Sequence, residues 1–339
     1  MGFSEIIDKN SELPIPVKWW TKYAFHYTDI TNALSILQEG MLYSRLEAQT
    51  KHLMKNDNAS YQVIDMTSSR AQSYVRFYFR PLTPTQYNNE GYKHPSLRFS
   101  LDPHANVPVP IFFAFDLKKF LTDPKVTFSE TGQAGYGAPR FSGEEQFACL
   151  PFEKIYSDGY VEEDERKYRH AELSYPNAYP IGNSLEAILC RNEFEQSMLF
   201  SLLKNTDLSL FYKYKHMIKV CREKMFEKNG LFIQGINLNN QTLTFQFSED
   251  YAKVRYAENI MKKNEIKSLD PIKAIFSFQW KRNRQILAKS SVEVELNYLS
   301  TKGIVFNLPP VAKATILIVE VLFNDDLIGY REIMLTNII

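Results

Sequence analysis

HYTDITNALSILQEG, residues 26–40, reads as a strand running into a helix. Just before it, KYAFHY at 22–27 is short, apolar and aromatic, which suits a strand. From residue 31 the period changes. Thr31 is placed to cap a helix, Ala33, Leu34, Ile36 and Leu37 form one apolar face, and Gly40 stops it. Alternation along the strand puts His26 and Thr28 on one face. Polar groups on an otherwise apolar strand face need partners, either a bound ligand or each other and the backbone.

Working outward, the same mixture of short strands and isolated helices continues without a βαβ rhythm, so the class expected is α+β. YVRFYF at 74–79 is a second aromatic strand, ended by Pro81 and Pro84. Residues 85–108 read as loop, and VPIFFAFDL at 109–117 as a buried strand. TGQAGYGAPRFSG at 131–143 reads as a mobile glycine-rich loop, because its glycines do not lead from a strand into a helix. SLEAILCRNEFEQSMLFSLLKN at 184–205 shows helical periodicity throughout. Beyond about residue 206, LTFQF, AIFSFQW, SVEVELNYL and TILIVEVLF alternate or run apolar at strand length. A compact, sandwich-like β domain is expected there. The division read from this change is 1–208 and 209–339.

The chain has 339 residues, 44% of them hydrophobic and 14% aromatic, enough for two packed domains. Residues 210–339 hold 19 Lys+Arg against 13 Asp+Glu, and residues 1–209 hold 21 against 26, so the tail is basic and the front mildly acidic. A basic tail suits a polyanion, and it equally suits a solvated surface. WKRNR at 280–284, with Trp280 beside three cations, and the aromatic–basic run Phe211–His216 are its candidate contact patches. Three scattered cysteines without CxxC spacing exclude a disulfide framework and a structural zinc site. The lead MGFSEIIDKN lacks the pattern of a signal peptide, and no apolar run reaches 18 residues, so the cytoplasm is the expected compartment.

No GxGxxG, GxxxxGK[ST], GxSxG or HExxH is present. Three pieces remain. His26 and Thr28 are the first. Arg76 and Arg80 share a strand face with aromatic residues on both sides, where a guanidinium can grip phosphate or lay its stem on rings. Glu172, in RHAELSYP at 169–176, is a single carboxylate able to activate a nucleophile or stabilise a cation, or to pair with Arg169 or Lys167 at the rim.

HYTDITNALSILQEG, YVRFYFRPLTPTQYNNEG, LPFEKIYSDG, RHAELSYP and AILCRNEFEQSMLFSLL occur in that order. Together, over about residues 20–205, they resemble the DarT family of nucleic acid ADP-ribosyltransferases. The resemblance implies an α+β ADP-ribosyltransferase fold with a split central sheet, binding NAD without a Rossmann motif and using no metal. It implies NAD contacts from His26, Thr28 and, at the helix start, Asn32, and a catalytic Glu172. A substrate loop is expected in 124–168. Relatives carry an arginine in an FxPRSPM-like segment where this chain has Leu82, so Arg80 is the expected catalytic arginine that grips the pyrophosphate, with Arg76 beside it and Tyr78 packing near nicotinamide.

The implied reaction moves ADP-ribose from NAD onto a base in single-stranded DNA or messenger RNA, in a toxin–antitoxin or phage-defence setting. A base must be exposed to react, so a single strand is expected. Two further readings stand beside this one. A non-catalytic NAD- or partner-binding module on a decayed fold would follow if His26, Arg80 and Glu172 failed to converge. The C-terminal domain could dock an antitoxin or chaperone through an edge strand rather than touch nucleic acid.

Overall fold

The computed structural model describes residues 1–57, 65, 69–102, 105–133, 139–248 and 251–335. The glycine-rich loop is therefore described only at its two ends. The chain forms two compact units, each discontinuous in sequence. The first takes 1–88, 111–189 and 217–226, and the second takes 89–110, 190–216 and 227–339. The stretch 217–226 thus lies with the front of the chain, on the far side of a cut after residue 208.

The first unit is α+β. Its strands are β1 Tyr23–Asp29, β2 Met41–Tyr43, β3 Tyr74–Tyr78, β4 Pro110–Asp116, β5 Thr127–Ser129, β6 Glu172–Pro176, β7 Ala178–Pro180, β8 Leu185–Cys190 and β9 Ile218–Val220. Seven of them make one sheet in the order β5-β6-β3-β1-β4-β8-β9, and β2 pairs with β7 apart from it. The aromatic richness of the sequence goes into this core. Phe77 lies 4.6 Å from Phe120, 5.3 Å from Phe115 and 5.5 Å from Tyr179, mostly edge to face. Such rings bury large apolar area and add directional contacts between layers.

Three local expectations are corrected. The helix after β1 spans Ile30–Glu39 and its cap is Asp29, not Thr31. The Asp29 carboxylate accepts from the Thr31 backbone N–H and from the Thr31 hydroxyl, so Thr31 donates to the cap. At the other end Gly40, at φ 67°, closes the helix as expected. Secondly, β3 ends at Tyr78, so Arg80 lies past the strand and shares no pleat with Arg76. Pro81 cannot extend a ladder, and Leu82 turns the chain at φ 58° with its N–H on Gln86 Oε1 at 2.6 Å. Thirdly, 184–205 is not one helix. Residues 185–190 are β8, paired with β4, and the helix is Glu193–Thr206. Asn192 caps it, its Oδ1 accepting from the Glu195 N–H at 2.9 Å. The apolar residues of 185–190 satisfy a helical pattern as well as a strand, and the sheet decides between them.

The second unit is β-rich. It holds β10 Ile233–Asn239, β11 Thr242–Phe247, β12 Ile272–Arg282, β13 Gln285–Leu296, β14 Ile304–Asn307, β15 Ile316–Phe323 and β16 Asp326–Met334, with helices Glu193–Thr206, Leu208–Tyr214 and Tyr251–Lys263. A three-stranded sheet, β10-β11-β14, and a four-stranded sheet, β13-β12-β15-β16, meet through Phe245 on Phe276 at 4.9 Å and Phe278 on Phe306 at 5.3 Å. This is the sandwich-like arrangement that the alternating pattern implies. WKRNR forms the tip of the β12–β13 hairpin, turning at Asn283 with φ 54°. Trp280 is buried there, so it offers no free ring for a base to stack on. Tyr212, in the second basic patch, is exposed.

Candidate active site

The register of three antiparallel strands sets the site. Residues directly opposite share a face. Tyr78 of β3 stands opposite Glu172 of β6, and Glu172 opposite Ser129 of β5. One step along, Arg76 faces Ser174 and Ser174 faces Thr127. One side of this sheet end therefore carries Arg76, Tyr78, Glu172, Ser174, Thr127 and Ser129. The other side carries Val75, Phe77, Leu173 and Phe128, all buried in the core.

Most of the small polar groups on that face have partners. The Thr127 and Ser174 hydroxyls lie 2.9 Å apart, and the Ser129 hydroxyl donates to the Thr131 carbonyl at 2.7 Å. Glu172 is different. It is 3% exposed, its Oε1 lies 3.9 Å from Arg76 Nη1, and its Oε2 is buried with no partner among the described residues. Burial pushes the carboxyl above the usual carboxylate range, and Arg76, the Gln133 N–H and Arg140 pull it back. The rim pairing with Arg169 or Lys167 does not form. Arg169 instead donates to Ser157 Oγ at 3.2 Å and to the Gly159 carbonyl at 2.9 Å.

His26 meets the same arginine from the neighbouring strand. Phe25 is the residue opposite Tyr78, so His26 leaves β1 on the other side, and its Nδ1 bonds the Arg76 carbonyl at 2.9 Å. A carbonyl only accepts, so Nδ1 carries the proton and Nε2 is left as an acceptor. Burial draws the imidazole down to about 4, against a smaller upward pull from the Arg76 carbonyl, so it is neutral at pH 7. Arg76 thus touches His26 through its backbone and Glu172 through its guanidinium. Tyr78 lies beside Glu172, its hydroxyl raised by burial and then by the Glu172 charge.

The remaining sequence candidates sit elsewhere. Thr28 is buried two residues along β1 from His26. The Asn32 carboxamide pins a loop: Oδ1 accepts from the Lys55 and Asn56 N–H groups at 2.8 and 3.1 Å, and Nδ2 donates to the Asn56 carbonyl at 2.7 Å. Arg80 is buried at 1% exposure, over the Trp20 ring. Its Nε donates to the Pro81 carbonyl at 2.8 Å and its Nη1 to the carbonyls of Ile155 and Ser157. The guanidinium beside Glu172 is that of Arg76 instead.

Two neighbours escape sequence reasoning, Gln133 and Arg140. Gln133 is 6% exposed, and its Oε1 accepts from Arg140 Nε at 3.0 Å. The Arg140 guanidinium lies 3.9 Å over the Tyr74 ring, on the same side of β3 as Arg76. Both come from the glycine-rich stretch, where no motif marks them. Among the described residues no group of three or more His, Cys, Asp or Glu is placed to hold a metal ion. No helix among them is long and apolar enough to cross a membrane.

An α+β unit of this kind, in a chain matched by an ADP-ribosyltransferase family model, is that of an NAD-dependent ADP-ribosyltransferase that acts on nucleic acid. The chain belongs to the DarT family: the family model described as ssDNA thymidine ADP-ribosyltransferase, DarT, matches residues 25–221. Among solved structures, it is similar to Thermus sp. 2.9 DarT in complex with carba-NAD+, at 17% identity and a TM-score of 0.46, covering 61% of this chain and 98% of that one. The same protein in complex with ADP-ribosylated ssDNA gives 16% and 0.47, covering 61% and 96%. Thermosipho africanus DarTG in complex with ADP-ribose gives 16% and 0.43, covering 56% and 51%. A search of curated proteins finds no match.

Proposed function

We propose that the protein transfers ADP-ribose from NAD to thymine in single-stranded DNA, and that Glu172 is its catalytic carboxylate. The observation that carries this reading is the buried Glu172, with one oxygen unpartnered beside Arg76, inside the matched family region. A buried carboxylate with spare acceptor capacity is costly unless a ligand completes it.

In the reaction the bond between nicotinamide and ribose breaks, and positive charge grows at the anomeric carbon. The ionised Glu172 stabilises that charge and orients the ribose. Nicotinamide departs with the bond electrons, and the base nitrogen forms the new bond. Arg76 takes the pyrophosphate grip, because the Arg80 guanidinium is already bonded to backbone carbonyls. Arg80 instead holds the chain after β3 in place. His26 accepts a ribose hydroxyl at Nε2, Thr28 supports the same end of the site, Asn32 shapes it through the 55–56 loop, and Tyr78 packs by nicotinamide.

The transferase part runs to about residue 208, together with the returning segment at 217–226, and the β-rich remainder from 209 onward is accessory. The long edge strand β13, exposed along most of its length, suits an antitoxin or chaperone that adds a strand. A toxin role, in a toxin–antitoxin or phage-defence system of the cytoplasm, accords with the family. The test is incubation with labelled NAD and separate pools of single-stranded DNA, RNA and protein. Label on DNA, lost in Glu172→Gln, is the expected result. Label on RNA alone would move the substrate to messenger RNA. Failure to bind NAD at all would favour a non-catalytic module.

A further inference from the structure

We infer that Gln133 reads the acceptor base, donating from its Nε2 to a carbonyl oxygen beside the attacking ring nitrogen. This rests on the transferase reading above and adds the residue that selects the base.

The orientation of the Gln133 carboxamide is fixed by chemistry. The Arg140 guanidinium has only donors, so the atom it meets at 3.0 Å must be the amide oxygen. The Nε2 end therefore points the other way. It is buried and has no hydrogen-bond partner among the described residues. Arg140 is itself held over the Tyr74 ring at 3.9 Å, so the amide is backed by an anchored group. The neighbouring Gly132 lies against the carboxylate, a Cβ there standing 3.7 Å from Glu172 Oε1, which places Gln133 at the site.

Two orphaned polar atoms of opposite kind thus occupy one site: an acceptor, Glu172 Oε2, and a donor, Gln133 Nε2. They are not bonded to each other. A ligand that satisfies both presents an N–H to the carboxylate and a carbonyl oxygen to the amide. Thymine, uracil and guanine carry a ring N–H flanked by such an oxygen. Adenine and cytosine present an unprotonated ring nitrogen beside an amino group, which would meet the Gln133 donor with another donor. In the transfer step the base N–H proton passes to the Glu172 carboxylate, the base nitrogen bonds to the anomeric carbon, and neutral nicotinamide leaves with the electrons of the broken bond.

The experiment measures transfer from labelled NAD to single-stranded oligonucleotides differing at one base, for wild type, Gln133→Glu and Gln133→Met. The glutamate variant retains an oxygen for Arg140 and loses the donor; the methionine variant loses both at similar volume. Each should lower kcat/KM on the thymine oligonucleotide about 10- to 100-fold, the usual effect of leaving a buried carbonyl unpaired at a recognition site. NAD affinity should stay within about twofold of wild type, which also shows that the variants fold. A second readout uses thymine with its carbonyl oxygens replaced by sulfur, a weak acceptor. That change should slow wild type and leave Gln133→Met unaffected. If both variants keep wild-type rates and base preference while wild type labels DNA, the role of Gln133 is overturned and the transferase stands. If wild type labels no nucleic acid, the transferase reading itself falls.

Discussion

Arg76 and Arg80 flank Phe77–Phe79, four positions apart, yet replacing them should have opposite consequences. Arg80→Met removes the donors that meet the carbonyls of Pro81, Ile155 and Ser157, and removes a cation from the Trp20 ring. At 1% exposure no water replaces those bonds. An abandoned buried acceptor costs about 1–3 kcal/mol, and the ring contact about 0.5–2 kcal/mol. Taking the low end for each carbonyl, since its second lone pair softens the loss, the total is about 4 kcal/mol. For a unit of this size that lowers the melting temperature by roughly 8–16 °C. Below the transition, NAD should bind with wild-type affinity. Arg76→Met removes a partly exposed side chain whose ion pair with Glu172 is long, at 3.9 Å, so stability should change by less than about 1 kcal/mol. Its NAD affinity should fall about 10- to 100-fold, the worth of a charge-assisted phosphate contact. Thermal unfolding followed by circular dichroism and calorimetric NAD titration separate the cases. An Arg80→Met protein that melts like wild type and fails to bind NAD would refute the assignment.

The acid limb of the transfer rate should lie above the ordinary carboxylate range, since Glu172 must be ionised and burial raises its pKa; Arg76→Met removes a neighbour that lowers it, so the limb should move to higher pH. An unmoved limb in a pH–rate profile would dissociate Glu172 from the titration. His26 is lowered from 6.5 to about 4, so the unfolded chain binds the extra proton first and its contribution to stability is complete above about pH 6.5 and lost as pH falls through about 4. Urea midpoints measured across that window should fall less steeply in His26→Gln. Asn192→Ala loses the cap on Glu195 N–H and the bond from Nδ2 to the Ile233 carbonyl, and should cost about 2 kcal/mol in chemical unfolding of the second unit.

The sequence reveals the elements better than their boundaries. Short aromatic strands such as 23–29 and 74–78 are legible because alternation and flanking prolines agree with the fold. The 184–205 segment is misread because Leu185, Ile188 and Leu189 fit both periods, and only pairing with β4 makes them a strand. At the site, His26, Arg76, Tyr78 and Glu172 are visible as residue types on strands, and β-register then brings three of them to one face. Arg80 is indistinguishable from Arg76 in sequence. What separates them is the end of β3 and two carbonyls supplied by distant backbone, those of Ile155 and Ser157, which no local pattern encodes. Gln133 and Arg140 are illegible for the converse reason: their meaning comes from what the loop approaches.

Gly132 shows how that approach is made possible. Its φ lies outside the left-handed region, so glycine is not needed there for its backbone conformation. Proximity explains it instead. A Cβ at this position would stand 3.2 Å from His170 Cβ and 3.7 Å from Glu172 Oε1. The first distance is tighter than ordinary packing, and His170 cannot yield freely because its ring is largely buried, with its pKa drawn down to about 4 by that burial. Gly132→Ala should therefore push the segment a few tenths of an ångström away from Glu172 and weaken the downward pull of the Gln133 N–H on its carboxyl. Losing a hydrogen bond to the charged form raises a carboxyl pKa. The acid limb of transfer should rise, in the same direction as for Arg76→Met, while NAD affinity stays near wild type because the Arg76 guanidinium is untouched. Transfer should fall more than NAD binding, since the misplaced amide no longer meets the base. If Gly132→Ala instead weakened NAD binding and transfer equally, the loop would serve the cofactor, and the close contact with His170 would have to be read as a wall of the NAD site.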